Sequence, residues 1–301
     1  MSVKLRIVHQ TDYFYHEPVK LGPHRLVLRP REGHDLKVES MRLDITPAFA
    51  LTWNRDVFGN SIALVNFKER ASELRIVSDV LVTRSEHLLK KTWKTPRDAT
   101  HPPVYDPLDR LVASAYQQVI YPDDVTAVQT WLNGLPFELP RGAHAAVGAL
   151  NKYIHEQFPS KRREERGVLT PAQTLQRGSG SCRDLATLLL EAARSLGIAA
   201  RFASGYLDCE ASDAGVASTH AWTETYLPGE GWRGFDPTLG EETDEKHVVT
   251  GVSNHPRGVM PVSGYYDGTA AQFKELRVAV RFEKTLATRT TAEFVADSVE
   301  I

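Results

Sequence analysis

The sequence GSGSCRDLATLLLEAARSLG, residues 178–197, decides the fold class of this chain. Its apolar side chains recur at helical spacing and Gly197 provides a stop signal, which predicts a helix that begins near Cys182. The apolar stripe consists of Leu185, Leu188, Leu189, Ala192 and Leu196. This is the strongest helix signal in the chain, and a stripe of this kind packs against a core.

Cys182 lies at the predicted start of this helix, directly after the glycine-rich residues 178–181. The free N–H groups and the positive dipole end of a helix N-terminus stabilise a thiolate more than a thiol. A cysteine there titrates below its reference value of about 8.5 and is a nucleophile at neutral pH. The glycines let a bound carbonyl approach the backbone, so the Cys182 N–H is a candidate oxyanion donor. The alternative is a structural cysteine at a capped helix start.

Three strand-like segments follow the helix, and the last two form a predicted hairpin. They are IAARFASGYL (198–207), THAWTETYL (219–227) and GWRGFDPT (231–238). His220 opens the second segment, and Asp236 ends the third, where Pro237 cannot continue a ladder. Strands that follow helices in blocks, rather than in strict alternation, favour an α+β core with an antiparallel sheet.

The length of the hairpin loop decides whether His220 and Asp236 meet. A three-residue loop at 228–230 pairs Leu227 with Gly231. In that register Asp236 is the diagonal neighbour of His220, close enough for a hydrogen bond from imidazole to carboxylate. A four-residue loop turns Asp236 to the opposite face of the strand. Any shared chemistry therefore requires the shorter loop or a bulge.

Together these side chains supply what acyl transfer requires: Cys182 as nucleophile, His220 as base and Asp236 to orient the histidine. Each residue alone has a more ordinary interpretation, so the combination carries the hypothesis. Gln176, six residues before the cysteine (182 − 176 = 6), is a candidate second oxyanion donor. Trp222 is a candidate substrate-cleft residue.

Phosphate and zinc are the competing ligands for this region. The glycine-rich segment lacks the Gly-Lys-Ser/Thr ending of a P-loop and contains no G-x-G-x-x-G. Cys182, Cys209, His220 and Asp236 are of types that ligate zinc, but the chain has neither C-x-x-C nor H-E-x-x-H spacing. The sequence therefore predicts no metal and no other cofactor.

The first hundred residues have a different pattern from the rest of the chain. Five short segments rich in Val, Ile and Leu, separated by Pro and Gly, predict an antiparallel β-sandwich. They are LRIVHQ (5–10), HRLVLRP (24–30), LKVESMRLDI (36–45), SIALVNF (61–67) and ELRIVSDVLV (73–82). The Pro-rich stretch at 94–107 marks the predicted boundary. We therefore expect a β-sandwich domain over 1–100 and a catalytic α+β domain over 101–301.

Composition limits the partners. The 301 residues carry a net charge of -2, which gives no field that would recruit nucleic acid or an anionic membrane. The N-terminus has no apolar signal region, and no apolar stretch reaches about 18 residues. Two cysteines cannot form a disulfide framework. We expect a cytoplasmic protein with free thiols, and the sequence does not indicate its oligomeric state.

Ordered motifs in the second half resemble the bacterial transglutaminase-like proteins described as cysteine proteases. The motifs are Gly180-Ser181-Cys182-Arg183-Asp184, Gly197-Ile198-Ala199-Ala200-Arg201-Phe202, Ser204-Gly205-Tyr206, His220-Ala221-Trp222-Thr223-Glu224, Gly231-Trp232 and Asp236-Pro237-Thr238. Leu28-Arg29-Pro30-Arg31, Trp53 and Phe58-Gly59-Asn60 are similar to the β-domain that precedes the core in that family. The resemblance implies a papain-like core with a triad at Cys182, His220 and Asp236.

The resemblance leaves the reaction open, because members of the wider superfamily differ in chemistry. The expectation is a protease- or amidase-type hydrolase acting on a peptide or protein through an acyl-enzyme. Transfer of a glutamine acyl group to an amine and a non-catalytic peptide-binding module are the alternatives. Residues 251–256 depart from the family pattern, which puts one cleft wall in doubt without affecting the triad.

Overall fold

A computed structural model describes residues 2–85, 100–161, 163, 167–208 and 218–286. Within these ranges the chain forms two antiparallel sheets with helices packed on the second, which confirms the α+β class. The strands are β1 Ser2–Leu26, β2 Leu36–Thr46, β3 Phe49–Arg55, β4 Ser61–Phe67, β5 Arg70–Ser85, β6 Ala200–Leu207, β7 Ser218–Leu227, β8 Gly231–Asp236, β9 Glu241–Glu242, β10 His247–Ser253, β11 Val262–Asp267 and β12 Phe273–Leu286.

The helices lie between the two groups of strands in the sequence. They are α1 Pro107–Gln117, α2 Val125–Asn133, α3 Ala143–Gln157, α4 Pro171–Arg177 and α5 Cys182–Ser195. Helix α5 is the segment with the strongest apolar stripe, and it is buried along nearly its whole length. It packs against β6 and β7, so the core of this half forms between α5 and the second sheet.

The first sheet has seven strands in the order β2-β5-β1-β4-β3, with β11 and β12 also paired to β1. Apolar side chains from β1, β2, β4 and β5 form one cluster, so the continuous sheet folds over a shared core. Burial alternates along β5 from Leu74 onward, as its period-2 sequence pattern predicts.

Two of these seven strands come from the end of the chain. Strand β12 pairs with β1 from Val3 to Tyr15, and β11 pairs with its later part. The predicted boundary of 101–301 for the second domain is therefore wrong at its C-terminal side. Pairing between positions so far apart leaves no local sequence signal. The predicted linker at 94–107 lies partly outside the described residues, which resume at Thr100.

The second sheet has the order β10-β6-β7-β8-β9. Strands β7 and β8 form the predicted hairpin, and Leu227 pairs with Gly231, which confirms the three-residue loop. Gly229 and Gly231 have φ values of 77° and 75°, a region that favours glycine. No helix in the described part of the chain is long and apolar enough to cross a membrane.

Candidate active site

Cys182 is the first residue of α5, and a buried carboxylate fixes the chain just before it. Asp184 accepts hydrogen bonds from the backbone N–H and the hydroxyl of Ser181, at 2.7 and 2.8 Å. The guanidinium of Arg163 binds the same carboxylate at 2.6 Å, and the Leu169 N–H donates to it at 2.7 Å. These contacts join the loop before α4 to the start of α5 and fix the position of the cysteine.

The thiol of Cys182 is half-buried, and His220 is its main electrostatic partner. Burial alone raises the pKa of the thiol. The hydrogen bond and the positive charge of His220 outweigh burial and hold the pKa of Cys182 below its usual value. The structure therefore combines a free thiol with the electrostatic environment that favours a thiolate.

The hairpin brings His220 and Asp236 into contact, as the shorter loop predicts. Nε2 of His220 donates to Oδ2 of Asp236 at 2.7 Å, and both side chains are buried. Oδ1 of Asp236 accepts from the Thr238 N–H at 2.8 Å. The carboxylate is therefore held by its own turn as well as by the histidine.

The contact between His220 and Asp236 favours the charged form of each side chain. Burial alone lowers the pKa of His220, but its hydrogen bonds to Asp236 and Cys182 raise the pKa to about 10. Burial alone raises the pKa of Asp236, but hydrogen bonds from two imidazoles hold it well below its usual range. These directions favour a thiolate–imidazolium pair supported by an ionised carboxylate.

The second imidazole belongs to His247, which the sequence interpretation did not include. Its Nε2 donates to Oδ2 of Asp236 at 3.2 Å, and its side chain is 3% exposed. His247 opens β10, which joins the sheet by pairing with β6. Because its contact with Asp236 depends on that pairing, only a correct sheet order could have indicated it.

The structure gives Trp222 a different place from the expected substrate cleft. Trp222 is 1% exposed, and its ring packs near His220 and His247, at centroid distances of 6.3 and 5.2 Å. A substrate cannot reach a ring that is buried in this way, so Trp222 supports the two imidazoles from behind. Gln176 is exposed in the last turn of α4, and its role as an oxyanion donor stays a prediction.

Three side chains of the described residues are close enough to share a metal ion. The ligand atoms of His220, Asp236 and His247 lie within 4.8 Å of one another. The Nε2 atoms of His220 and His247 both donate to Oδ2 of Asp236, so hydrogen bonding alone accounts for the cluster. This set differs from the zinc set weighed from the sequence, of which Cys209 lies outside the described residues.

Comparison with known proteins identifies both halves of the chain. Residues 5–83 match the bacterial transglutaminase-like N-terminal region, and residues 138–237 match the transglutaminase-like superfamily. An uncharacterized protein of Mycobacterium leprae is 26% identical over 281 residues, covering 89% of this chain and 95% of that protein. A Mycobacterium tuberculosis relative, also uncharacterized, is 27% identical and covers 87% of each chain.

A solved structure shares the fold over almost the full length. It is described as a proposed cysteine protease of Cytophaga hutchinsonii, with a TM-score of 0.68 and 15% identity, covering 96% of this chain and 93% of that one. The family match supports a thiol enzyme in general terms, in agreement with the free thiol of Cys182. The chain belongs to the transglutaminase-like superfamily and carries the family's bacterial N-terminal region ahead of its core.

Proposed function

We propose that this chain is a cysteine hydrolase that cleaves amide or peptide bonds through an acyl-enzyme. The observation that carries the proposal is the arrangement of three side chains. The half-buried Cys182 thiol lies close enough to His220 for the two groups to shift each other's pKa, and His220 donates to the buried Asp236 carboxylate. A nucleophile, a base and an orienting carboxylate linked in this order are what acyl transfer requires.

In the first half-reaction the Cys182 thiolate attacks the carbonyl carbon of the substrate, and the carbonyl oxygen becomes an oxyanion. The Cys182 N–H lies at the helix N-terminus, where N–H groups lack intrahelical partners, and it donates to this oxygen together with Gln176. The carbon–nitrogen bond then breaks, and the imidazolium of His220 gives its proton to the leaving amine. A thioester remains on Cys182.

In the second half-reaction His220 takes a proton from the incoming nucleophile, which attacks the thioester and releases Cys182 as thiolate. Water gives a carboxylic acid and completes hydrolysis. A primary amine gives a new amide and makes the same site a transglutaminase. We favour water because it needs no binding pocket of its own, and we expect a peptide or protein substrate.

A peptide library assayed with and without an added primary amine tests the proposal. Mass spectrometry distinguishes cleaved peptides, glutamine converted to glutamate, and amine adducts. We expect Cys182→Ala to lower turnover by about 10⁴-fold or more, and Cys209→Ala, the matched thiol control, to leave it unchanged. Equal turnover by Cys182→Ala and the native chain would refute the thiol mechanism.

The other candidate is a non-catalytic peptide-binding module. It is supported if Cys182→Ala binds library peptides as tightly as the native chain and neither protein changes them. A cytoplasmic site of action is also part of the proposal, supported by the presence of only two cysteines. Fractionation of the cells that make the protein, followed by immunoblotting, tests it.

A further inference from the structure

His247 is held from both sides of its ring. On one side Nε2 donates to Asp236, and on the other Nδ1 lies 3.1 Å from the backbone nitrogen and 3.0 Å from the Oδ1 of Asp244. A carboxylate oxygen only accepts hydrogen bonds, so the contact between Nε2 and Asp236 requires a proton on Nε2. The ring is therefore presented to Asp236 as a donor.

His220 and His247 share one acceptor atom, Oδ2 of Asp236, at 2.7 and 3.2 Å. Together with the Thr238 N–H on Oδ1, three donors from three chain segments fix the plane of the carboxylate. A carboxylate on a strand end rotates about its side-chain bonds unless such contacts hold it. Of the three donors, His247 alone comes from neither the hairpin nor the turn that follows it.

The strand that carries His247 lies at the edge of the second sheet, and the N-terminal half covers that edge. The Asn60 side chain accepts from the Val252 N–H at 2.9 Å and donates to its carbonyl at 2.7 Å. The Arg31 N–H donates to the Val249 carbonyl at 2.8 Å. Backbone groups at a sheet edge need such partners, and here the first sheet and its loops supply them.

Arg84, on β5 of the first sheet, contacts β10 at the end that lies in the candidate site. Its guanidinium donates to the backbone carbonyl of His247 itself at 2.9 Å. The charged groups around the His247 ring and its carbonyl are thus Asp236, Asp244, His220 and Arg84. The N-terminal half therefore contacts His247 directly, through Arg84.

We infer that His247 is a positioning residue, which holds the Asp236 carboxylate toward His220, and that the N-terminal sheet fixes His247 through Arg84 and the edge of β10. The inference rests on the proposed function for its chemical meaning. It also gives the N-terminal half a role in the site: the first sheet orients the carboxylate that orients the imidazole.

Two substitutions distinguish the roles of the two ring nitrogens of His247. In His247→Gln the side-chain amide occupies the place of Nε2 and still donates to Asp236. In His247→Asn the shorter side chain occupies the place of Nδ1, keeps an acceptor for the Asp244 N–H, and cannot reach Asp236. The readout is the rate of Cys182 alkylation by iodoacetamide across a pH series, with the folded fraction measured by circular dichroism.

We expect His247→Asn to slow alkylation at neutral pH by about tenfold, the effect of one lost hydrogen bond to a charged group. The midpoint of its pH profile moves upward, whereas His247→Gln keeps the native midpoint. A purely structural role lowers the folded fraction without moving the midpoint. The inference is wrong if His247→Asn keeps the native profile, or if both variants lose the same amount.

A measurement on the unmodified protein decides the matter if His247→Asn does not fold. Nitrogen-15 labelling of the histidines, followed by long-range nitrogen–proton correlation spectra, locates the proton on each ring. We expect the His247 proton on Nε2. A proton on Nδ1 with a bare Nε2 would remove the donor to Asp236 and overturn the inference.

Arg84→Met tests the contribution of the N-terminal sheet, because methionine keeps the apolar packing but loses the donor to the His247 carbonyl. We expect a smaller upward shift of the alkylation midpoint, in the same direction as that of His247→Asn. Arg75→Met is the matched control, since Arg75 lies on the same strand with a half-exposed side chain. Identical profiles for the two variants would refute the link to the first sheet. Neither alkylation nor the spectra require substrate turnover, so both stay informative if no amide is cleaved.

Discussion

At the scale of single residues, burial and hydrogen bonding act in opposite directions at the candidate site. Burial favours the neutral forms of both Cys182 and His220, because a charge loses hydration in the interior. The hydrogen bonds between them and to Asp236 favour the charged forms. The second effect is the larger one, because the pKa of Cys182 is lowered and the pKa of His220 is raised to about 10.

This balance predicts the reactivity of the two thiols. At pH 7 we expect iodoacetamide to label Cys182 about tenfold faster than Cys209, because a lowered pKa increases the thiolate fraction. His220→Gln removes the two largest effects that lower the pKa of Cys182, while burial still raises it, so labelling of Cys182 slows below that of Cys209. Peptide mapping of the alkylated protein measures both rates. Equal labelling of the two thiols in the native chain would contradict an activated nucleophile.

Cys182, His220 and Asp236 could be singled out from the sequence because each has a local signature. The cysteine opens a helix, and the other two lie on the two strands at the open end of a hairpin whose loop can be counted. His247 has no such signature, since its partner is reached only after β10 has paired with β6. The burial of Trp222 has no local signature for a related reason: alternation gives the face of a strand but not what covers that face.

At the scale of elements, α3 is joined to the hairpin by His144. Its ring nitrogens contact the carboxylates of Glu230 and Glu242 at 3.0 and 2.7 Å. Glu230 lies in the hairpin loop and Glu242 in β9, and the ring packs edge-on against Phe235, next to Asp236. One histidine thus fixes the loop, the edge strand and the helix relative to one another.

The charge on His144 makes this contribution dependent on pH. The hydrogen bond to Glu242 is the largest cause that raises the pKa of His144, while burial opposes it. A raised pKa in the folded state stabilises the fold fully below the unfolded value of about 6.5, and the gain is lost as pH rises through the folded value. His144→Leu should therefore cost about 2 kcal/mol at pH 6 and less at pH 9.

Urea unfolding of the native chain and His144→Leu at pH 6 and pH 9 measures the difference. Glu242→Gln is the companion variant, because it removes the largest cause of the raised pKa and leaves the histidine in place. Its cost should be smaller, since the Glu242 side chain is 45% exposed and water screens the pair. A difference that grows between pH 6 and pH 9 would contradict a charged His144.

At the scale of the whole molecule, strands from the two ends of the described chain pair in one sheet. Strand β1 is paired with β5 on one side and with β12 on the other. Val280 of β12 is buried with Leu5 and Ile7 of β1 and with Tyr206 and Val248 of the second sheet. The two sheets share this core, so the N-terminal half packs directly against the half that carries the candidate site.

The α+β class and the β-rich first half could be predicted because they follow from local patterns of apolar residues. The division into 1–100 and 101–301 could not, because the free energy that brings β12 to β1 comes from contacts between the two ends of the chain. Periodicity predicts that a segment is a strand, whereas the choice of partner depends on the whole sheet. Local patterns therefore assign the chain end to the second half, whereas the structure pairs it with the first sheet.

The pairing of β12 with β1 predicts how fragments of the chain behave. A fragment of residues 1–100 lacks β12, so the edge of β1 from Val3 to Tyr15 is left without its ladder partner. Exposed, long strand edges pair with other copies. We expect the fragment to aggregate alone and to become monomeric when coexpressed with 101–301, which supplies β12. Light scattering and size-exclusion chromatography measure both states. A fragment that is monomeric and unfolds cooperatively without its complement would show that the first sheet folds independently of the chain end.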